Sequence, residues 1–157
     1  MELYLVQHGA AKSEAEDPQR GLTDEGRRRV ERMAEFAGKL SLQVQAIEHS
    51  DKLRARQTAE ILAQRLRPRD GTRQIAGIAP LDDVEPLCAR LAGATQNLML
   101  VGHLPYLSRL VARLVAAPAE RTVVQFQMGG LVRLDRDEAG QWAVRWVAPP
   151  EVVQPRA

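Results

Sequence analysis

The sequence predicts a three-layer α/β/α sandwich with a mostly parallel central sheet and antiparallel edge strands near the C-terminus. Three observations carry that prediction. Leu3 to Val6 and Leu98 to Val101 are short, unbroken apolar runs, as expected of strands buried on both faces. Segments of helical periodicity follow the early strands, so strands and helices alternate. From about residue 122 onward the chain offers strand-like runs without helices between them, which suits antiparallel additions at a sheet edge.

Taken in order, the first strand ends on Gln7-His8-Gly9. Residues 9–21 are small or polar, include Pro18, and read as an exposed loop. Thr23 is an N-cap, Asp24 and Glu25 place negative charge in the first helical turn, and Val30, Met33, Ala34, Ala37 and Leu40 follow at helical spacing. A short strand over 46–49 leads to Ser50 and a second helix over 53–66, ended by Pro68 and Gly71. A brief strand is expected at 74–76. A third helix is expected from a cap at Asp82 or Asp83 through Leu91, with Pro86 tolerated in its first turn. The strand ending at Val101 closes on Gly102-His103, and Pro105 starts a fourth helix. Strands are expected at 122–127, 130–134 and 141–147. Residues 1–148 read as a single domain and 149–157 as a loosely held tail.

Composition sets bounds on function. A chain of 157 residues with formal net charge +2 and 27% charged residues makes no demand for a nucleic-acid partner. Basic residues are not interleaved with aromatics, and the arginines at 27–32 and 54–73 are interspersed with Glu31, Glu35, Glu60 and Asp70, the pattern of a solvated face. No apolar run approaches a membrane span, and a leader-like N-terminal pattern is missing from the residues given, so a soluble cytoplasmic protein is expected. The one cysteine, Cys88, excludes an intrachain disulfide, and no metal-ligand spacing occurs. No metal or other cofactor is expected.

The chemistry concentrates at element junctions. His8 stands where a strand meets a loop, and His103 where a strand meets a proline-started helix. Ligands of open α/β sheets bind at that carboxyl edge. An imidazole titrating near neutrality can serve as a nucleophile. Arg54, in the first turn of the second helix, offers a planar fork of donors that matches phosphate oxygens, and the helix N-terminus adds backbone donors. Two histidines and an arginine so placed are parts of a phosphoryl-transfer site.

Four stretches, in order, strengthen that reading: Gln7-His8-Gly9, Leu22-Thr23-Asp24-Glu25-Gly26, Ser50-Asp51-Lys52-Leu53-Arg54-Ala55-Arg56-Gln57-Thr58-Ala59, and Gly102-His103-Leu104-Pro105. Together they resemble the histidine phosphatase superfamily, the phosphoglycerate-mutase-like group, and within it the short bacterial phosphohistidine phosphatases. The resemblance runs from Leu3 to about Leu134. It implies that His8 is the catalytic nucleophile, and that Arg54 and His103 act with it by binding the phosphoryl oxygens. Gln7 and Gly9 would complete the phosphate-binding set.

Two positions depart from the family pattern. Asp51 replaces a proline ahead of the second helix, and Gln7 replaces the first arginine. A glutamine amide donates hydrogen bonds but brings neither charge nor a bidentate fork, and losing one such donor at a developing oxyanion costs on the order of 10²–10³ in rate. A slow phosphatase is therefore expected. The short span between Leu66 and Asn97 leaves no room for a covering lid, so the expected partner is a phosphorylated protein side chain, phosphohistidine above all. A small phosphate ester is the alternative substrate, and a non-catalytic phosphate or phosphoprotein binder the alternative function. Asp82 and Asp83 are the nearest candidates should a general acid be used. The sequence does not set the oligomeric state.

Overall fold

The computed structural model describes residues 1–153. Its elements are β1 (Glu2–Gln7), α1 (Asp24–Lys39), β2 (Ala46–His49), α2 (Leu53–Leu66), β3 (Thr72–Gln74), α3 (Glu85–Gly93), β4 (Leu98–Gly102), α4 (Tyr106–Leu114), β5 (Leu131–Arg136) and β6 (Trp142–Ala148), followed by a 3₁₀ turn at Pro150–Val153. The six strands form one sheet in the order β3-β2-β4-β1-β5-β6. The four strands from β3 to β1 pair in parallel, whereas β5 runs antiparallel to β1 and β6 antiparallel to β5. This is the expected mixed α/β sandwich.

Alternation along the central strands divides the core between two faces. Tyr4 and Val6 of β1, with Ile47, Met99 and Val101, pack against Val30, Met33, Ala34, Ala55, Ala59 and Leu62 of α1 and α2. Leu3 and Leu5, with Leu98 and Leu100, pack against Leu87 and Leu91 of α3 and Leu107, Leu110 and Val111 of α4. Both sides of β1 are therefore apolar because both are covered. Each buried Val, Leu, Ile or Met side chain among them contributes about 1.5–3 kcal/mol by leaving water.

Several boundaries differ from the sequence reading. No strand forms at 122–127, although Val124 and Phe126 are buried and Val123 and Gln125 exposed. The period of two is there, but the neighbouring positions along β5 are already taken by β1 and β6. The brief strand expected at 74–76 lies at Thr72–Gln74, paired with β2. The N-cap of α3 is Val84, which makes no side-chain cap bond, while Asp83 Oδ1 accepts from the N–H of the helix's first residue, Glu85, at 3.0 Å. Of the segment expected to be loose, Pro150 is buried and Val153 packs on the α1–α2 side of the core. The remainder, 154–157, lies outside the described residues.

One packing detail fixes the edge that matters. The Thr23 hydroxyl accepts from the Gly26 N–H at 2.9 Å, closing the first turn of α1. A Cβ on Gly26 would lie 2.3 Å from the Ala10 carbonyl, and one on Gly9 would lie 2.9 Å from Val30 Cγ2. These two positions need glycine because helix and post-strand loop touch there through backbone. The chain leaving His8 is thereby clamped to α1.

Candidate active site

His8 and His103 leave adjacent parallel strands at the same sheet edge, where Gln7 of β1 is in register with Gly102 of β4. The His8 N–H donates to the Gly102 carbonyl at 3.1 Å, so the ladder continues one residue into the site. The imidazole centroids lie 5.0 Å apart. Arg54 projects from the first turn of α2, and its carbonyl accepts from the Thr58 hydroxyl at 2.8 Å. The same hydroxyl accepts from the Gly9 N–H at 3.0 Å. Thr58 therefore ties the segment after His8 to the helix carrying Arg54.

Hydrogen bonds decide the state of each ring. His8 Nδ1 lies 2.7 Å from the Gly9 carbonyl, an oxygen that can only accept. The proton of neutral His8 is therefore on Nδ1, and Nε2 carries a free lone pair. Burial, followed by the nearby charges of Arg54 and Arg20, lowers the His8 pKa, although the Gly9 bond works the other way. His103 Nε2 lies 2.6 Å from Ser50 Oγ, which itself accepts from the Lys52 N–H at 3.3 Å. In one tautomer the Ser50 hydroxyl, whose second lone pair stays free, donates to His103 Nε2. The His103 N–H then resides on Nδ1, which is buried without a protein partner.

His103 is held more firmly neutral. Burial, then the charges of His8, Arg54 and Lys52, lower its pKa to about 4. The resting site has a neutral donor at this position because the ring is 2% exposed and surrounded by positive charge.

A stability consequence follows. The unfolded chain takes up a proton on this ring near its ordinary pKa of 6.5, whereas the folded chain resists until about 4. Stability should therefore fall as pH drops through that window, by roughly 3 kcal/mol from this group, and flatten below it. Urea unfolding at a series of pH values in phosphate-free buffer should show that slope. His103→Gln should reduce that slope to the part that His8 supplies, and an equal slope in the variant would contradict the assignment.

The remaining predicted site residues fare differently. The Gln7 carbonyl accepts from Gly129 N–H at 2.8 Å, and its side-chain Oε1 is buried without a partner. Gly9 was expected to bind phosphate, but its N–H is committed to Thr58 and its α-carbon packs on α1, so its role is close packing. Asp82 lines a cavity of about 480 Å³ beside Ser50 and Asp51, yet its Oδ2 already accepts from the Ala79 N–H. Asp83 is exposed and accepts from the Glu85 N–H. Asp51, which replaces the family proline ahead of the second helix, is the carboxylate whose charge reaches both Arg54 and His103. Also missed were the Ser50–His103 bond and the approach of Arg20. The Ser50 bond could have been suspected from the motif, since Ser50 ends the strand beside β4.

Comparison with known proteins agrees with this geometry. Residues 3–75, which carry His8 and Arg54, match the histidine phosphatase superfamily (branch 1). The phosphohistidine phosphatase SixA of Escherichia coli K12 is 28% identical over 155 residues, 96% of this chain and 94% of that protein. The chain belongs to the histidine phosphatase superfamily. An uncharacterised protein of Picosynechococcus is 41% identical over 113 residues, 67% of each chain. A structure of the protein histidine phosphatase SixA complexed with tungstate superposes with TM-score 0.86 at 25% identity, covering 98% of this chain and 100% of that one. The α-ribazole phosphatase of Shigella flexneri shares the fold, with TM-score 0.79 at 17% identity over 96% of this chain and 97% of its own. The family match, the likeness to SixA and the shared fold support phosphatase activity. Among its described residues no helix is long and apolar enough to cross a membrane.

Proposed function

We propose that this phosphatase hydrolyses phosphohistidine on proteins through a covalent phosphate on His8. The observation carrying the reading is the fixed tautomer of His8, whose Nε2 lone pair is free beside His103. In the first step Nε2 attacks phosphorus and the bond from phosphorus to the substrate's imidazole nitrogen breaks. The substrate ring, protonated on its other nitrogen, departs as neutral imidazole. In the second step water attacks phospho-His8, gives up its proton, and releases inorganic phosphate with Nε2 regenerated. Arg54 and the Nδ1–H of His103 bind the equatorial oxygens as charge accumulates on them.

The choice of substrate rests on two features. Between α2 and β4 the chain has only β3, α3 and their turns, too little to build a lid. An imidazole also leaves without a strong acid. That suits a site whose nearby aspartates, Asp82 and Asp83, are engaged in local turns. The protein substrate thus fits better than an alkyl phosphate ester.

The test is rapid quenching after mixing with a phosphocarrier protein labelled on histidine. Label should appear transiently on His8, in an acid-labile and base-stable form, and then as inorganic phosphate. Turnover of sugar or nucleotide phosphates alone would point to a small-ester phosphatase. Phosphate binding with no turnover of any kind would mark a binding protein.

A further inference from the structure

The resting site holds a cation that the four sequence motifs did not identify. After Ala10 the chain makes a loop and returns: Ala11 and Leu22 form an antiparallel bridge, and the Lys12 N–H donates to the Gly21 carbonyl at 2.9 Å. Asp17 organises the loop from inside, its carboxylate accepting from the N–H groups of Gln19 and Gly21 and its carbonyl from that of Arg20. Arg20 closes the turn at φ 51°, a left-handed conformation that disfavours a residue with a Cβ by roughly 1–2 kcal/mol. The next residues are pressed on α2. The Leu22 N–H donates to Gln57 Oε1 at 2.8 Å, and a Cβ on Gly21 would lie 3.3 Å from Leu53 Cδ2. Arg20 is thereby brought to the helical turn that bears Arg54.

The side chain is held at its root and open at its tip. Its Nε donates to the Lys12 carbonyl at 3.1 Å, and among the described residues no carboxylate lies within 4.0 Å of the guanidinium. Its charge bears on two groups at once, His8 and Arg54, and pushes the pKa of each downward. Two guanidinium groups sharing a half-buried edge without a pairing carboxylate repel one another, and a phosphoryl dianion between them would remove that repulsion.

We infer that Arg20 is the phosphate-binding cation that stands in for the charge missing at position 7, its terminal N–H groups ligating a phosphoryl oxygen alongside Arg54. The inference rests on the phosphatase reading of the His8 edge and alters one expectation drawn from it. The enzyme is not short of a cation, so Gln7 alone does not make it slow.

A charge-relocation series tests this, with orthovanadate affinity measured by calorimetry and kcat/KM measured on a phosphohistidine peptide. Arg20→Gln should weaken vanadate binding by at least about tenfold and lower kcat/KM by more. Gln7→Arg placed on Arg20→Gln should restore vanadate affinity to within about threefold of the wild type. Damage to the loop would not be repaired by a charge on the neighbouring strand, so the rescue separates electrostatics from folding. Arg20→Lys, which keeps the charge and loses the fork, should fall between. Affinity within twofold of wild type in Arg20→Gln, or no rescue by Gln7→Arg, would overturn the inference. Should His8→Ala still turn over substrate, the His8 mechanism is what fails, while the vanadate series still decides the role of Arg20.

Discussion

His8→Ala is expected to reduce kcat/KM on a phosphohistidine substrate by at least about 10⁴-fold, the largest effect of any single change in this chain. No other group at this edge can replace the lost nucleophile. His103 lies in the same cleft, but its Nε2 is engaged with the Ser50 hydroxyl and its Nδ1 is buried. Ser50 Oγ is buried and occupied at the same contact. The variant should fold, because the His8 backbone bond to Gly102 does not involve the ring and the imidazole is only half-buried. Vanadate affinity should drop less than turnover, since Arg20, Arg54 and His103 remain. Single-turnover quench kinetics with matched thermal melts would check this. A folded variant retaining more than about a hundredth of wild-type activity would rule out the covalent route.

The parts of this site differ in how legible they were from sequence, and the difference has a physical basis. His8, Arg54 and His103 sit at junctions where apolar periodicity stops, so their place at the sheet edge follows once the strands are identified. Local caps were readable for the same reason, as with Thr23 and Gly26 at the start of α1. Arg20 has no periodic context. It stands after Pro18 and Gln19 in a polar loop, and only the Ala11–Leu22 bridge and the seating of Gly21 on α2 bring it to the site. The protonation state of His103 depends on burial and on neighbouring charges, neither of which the sequence displays. The expected strand at 122–127 failed differently. Alternating burial shows that one side of a segment faces the core, not that a sheet edge is free to pair with it.

Arg54→Gln should lower kcat/KM on the order of 10²–10³, and it should do so while making the unligated protein no less stable. The backbone at Arg54 would stay in place, since its carbonyl is held by Thr58. What the variant loses is a half-buried guanidinium with no carboxylate within 4.0 Å among the described residues. Burial is the first cause of its lowered pKa and the charge of Arg20 the second, so the folded state holds this cation against its preference for water. Asp51 relieves that only in part. Such an arrangement is sustained by function, because an anion binding between the cations recovers the energy. In phosphate-free buffer the variant should therefore melt at or above the wild-type temperature. Added phosphate at about 100 times its dissociation constant should stabilise the wild type by about 2.7 kcal/mol and the variant by far less, so the order of melting temperatures reverses. Arg54→Lys should keep the charge, lose the two-pronged contact and recover only part of the activity. A variant that melts lower than wild type without phosphate, yet keeps its activity, would show that Arg54 serves the fold rather than the phosphate.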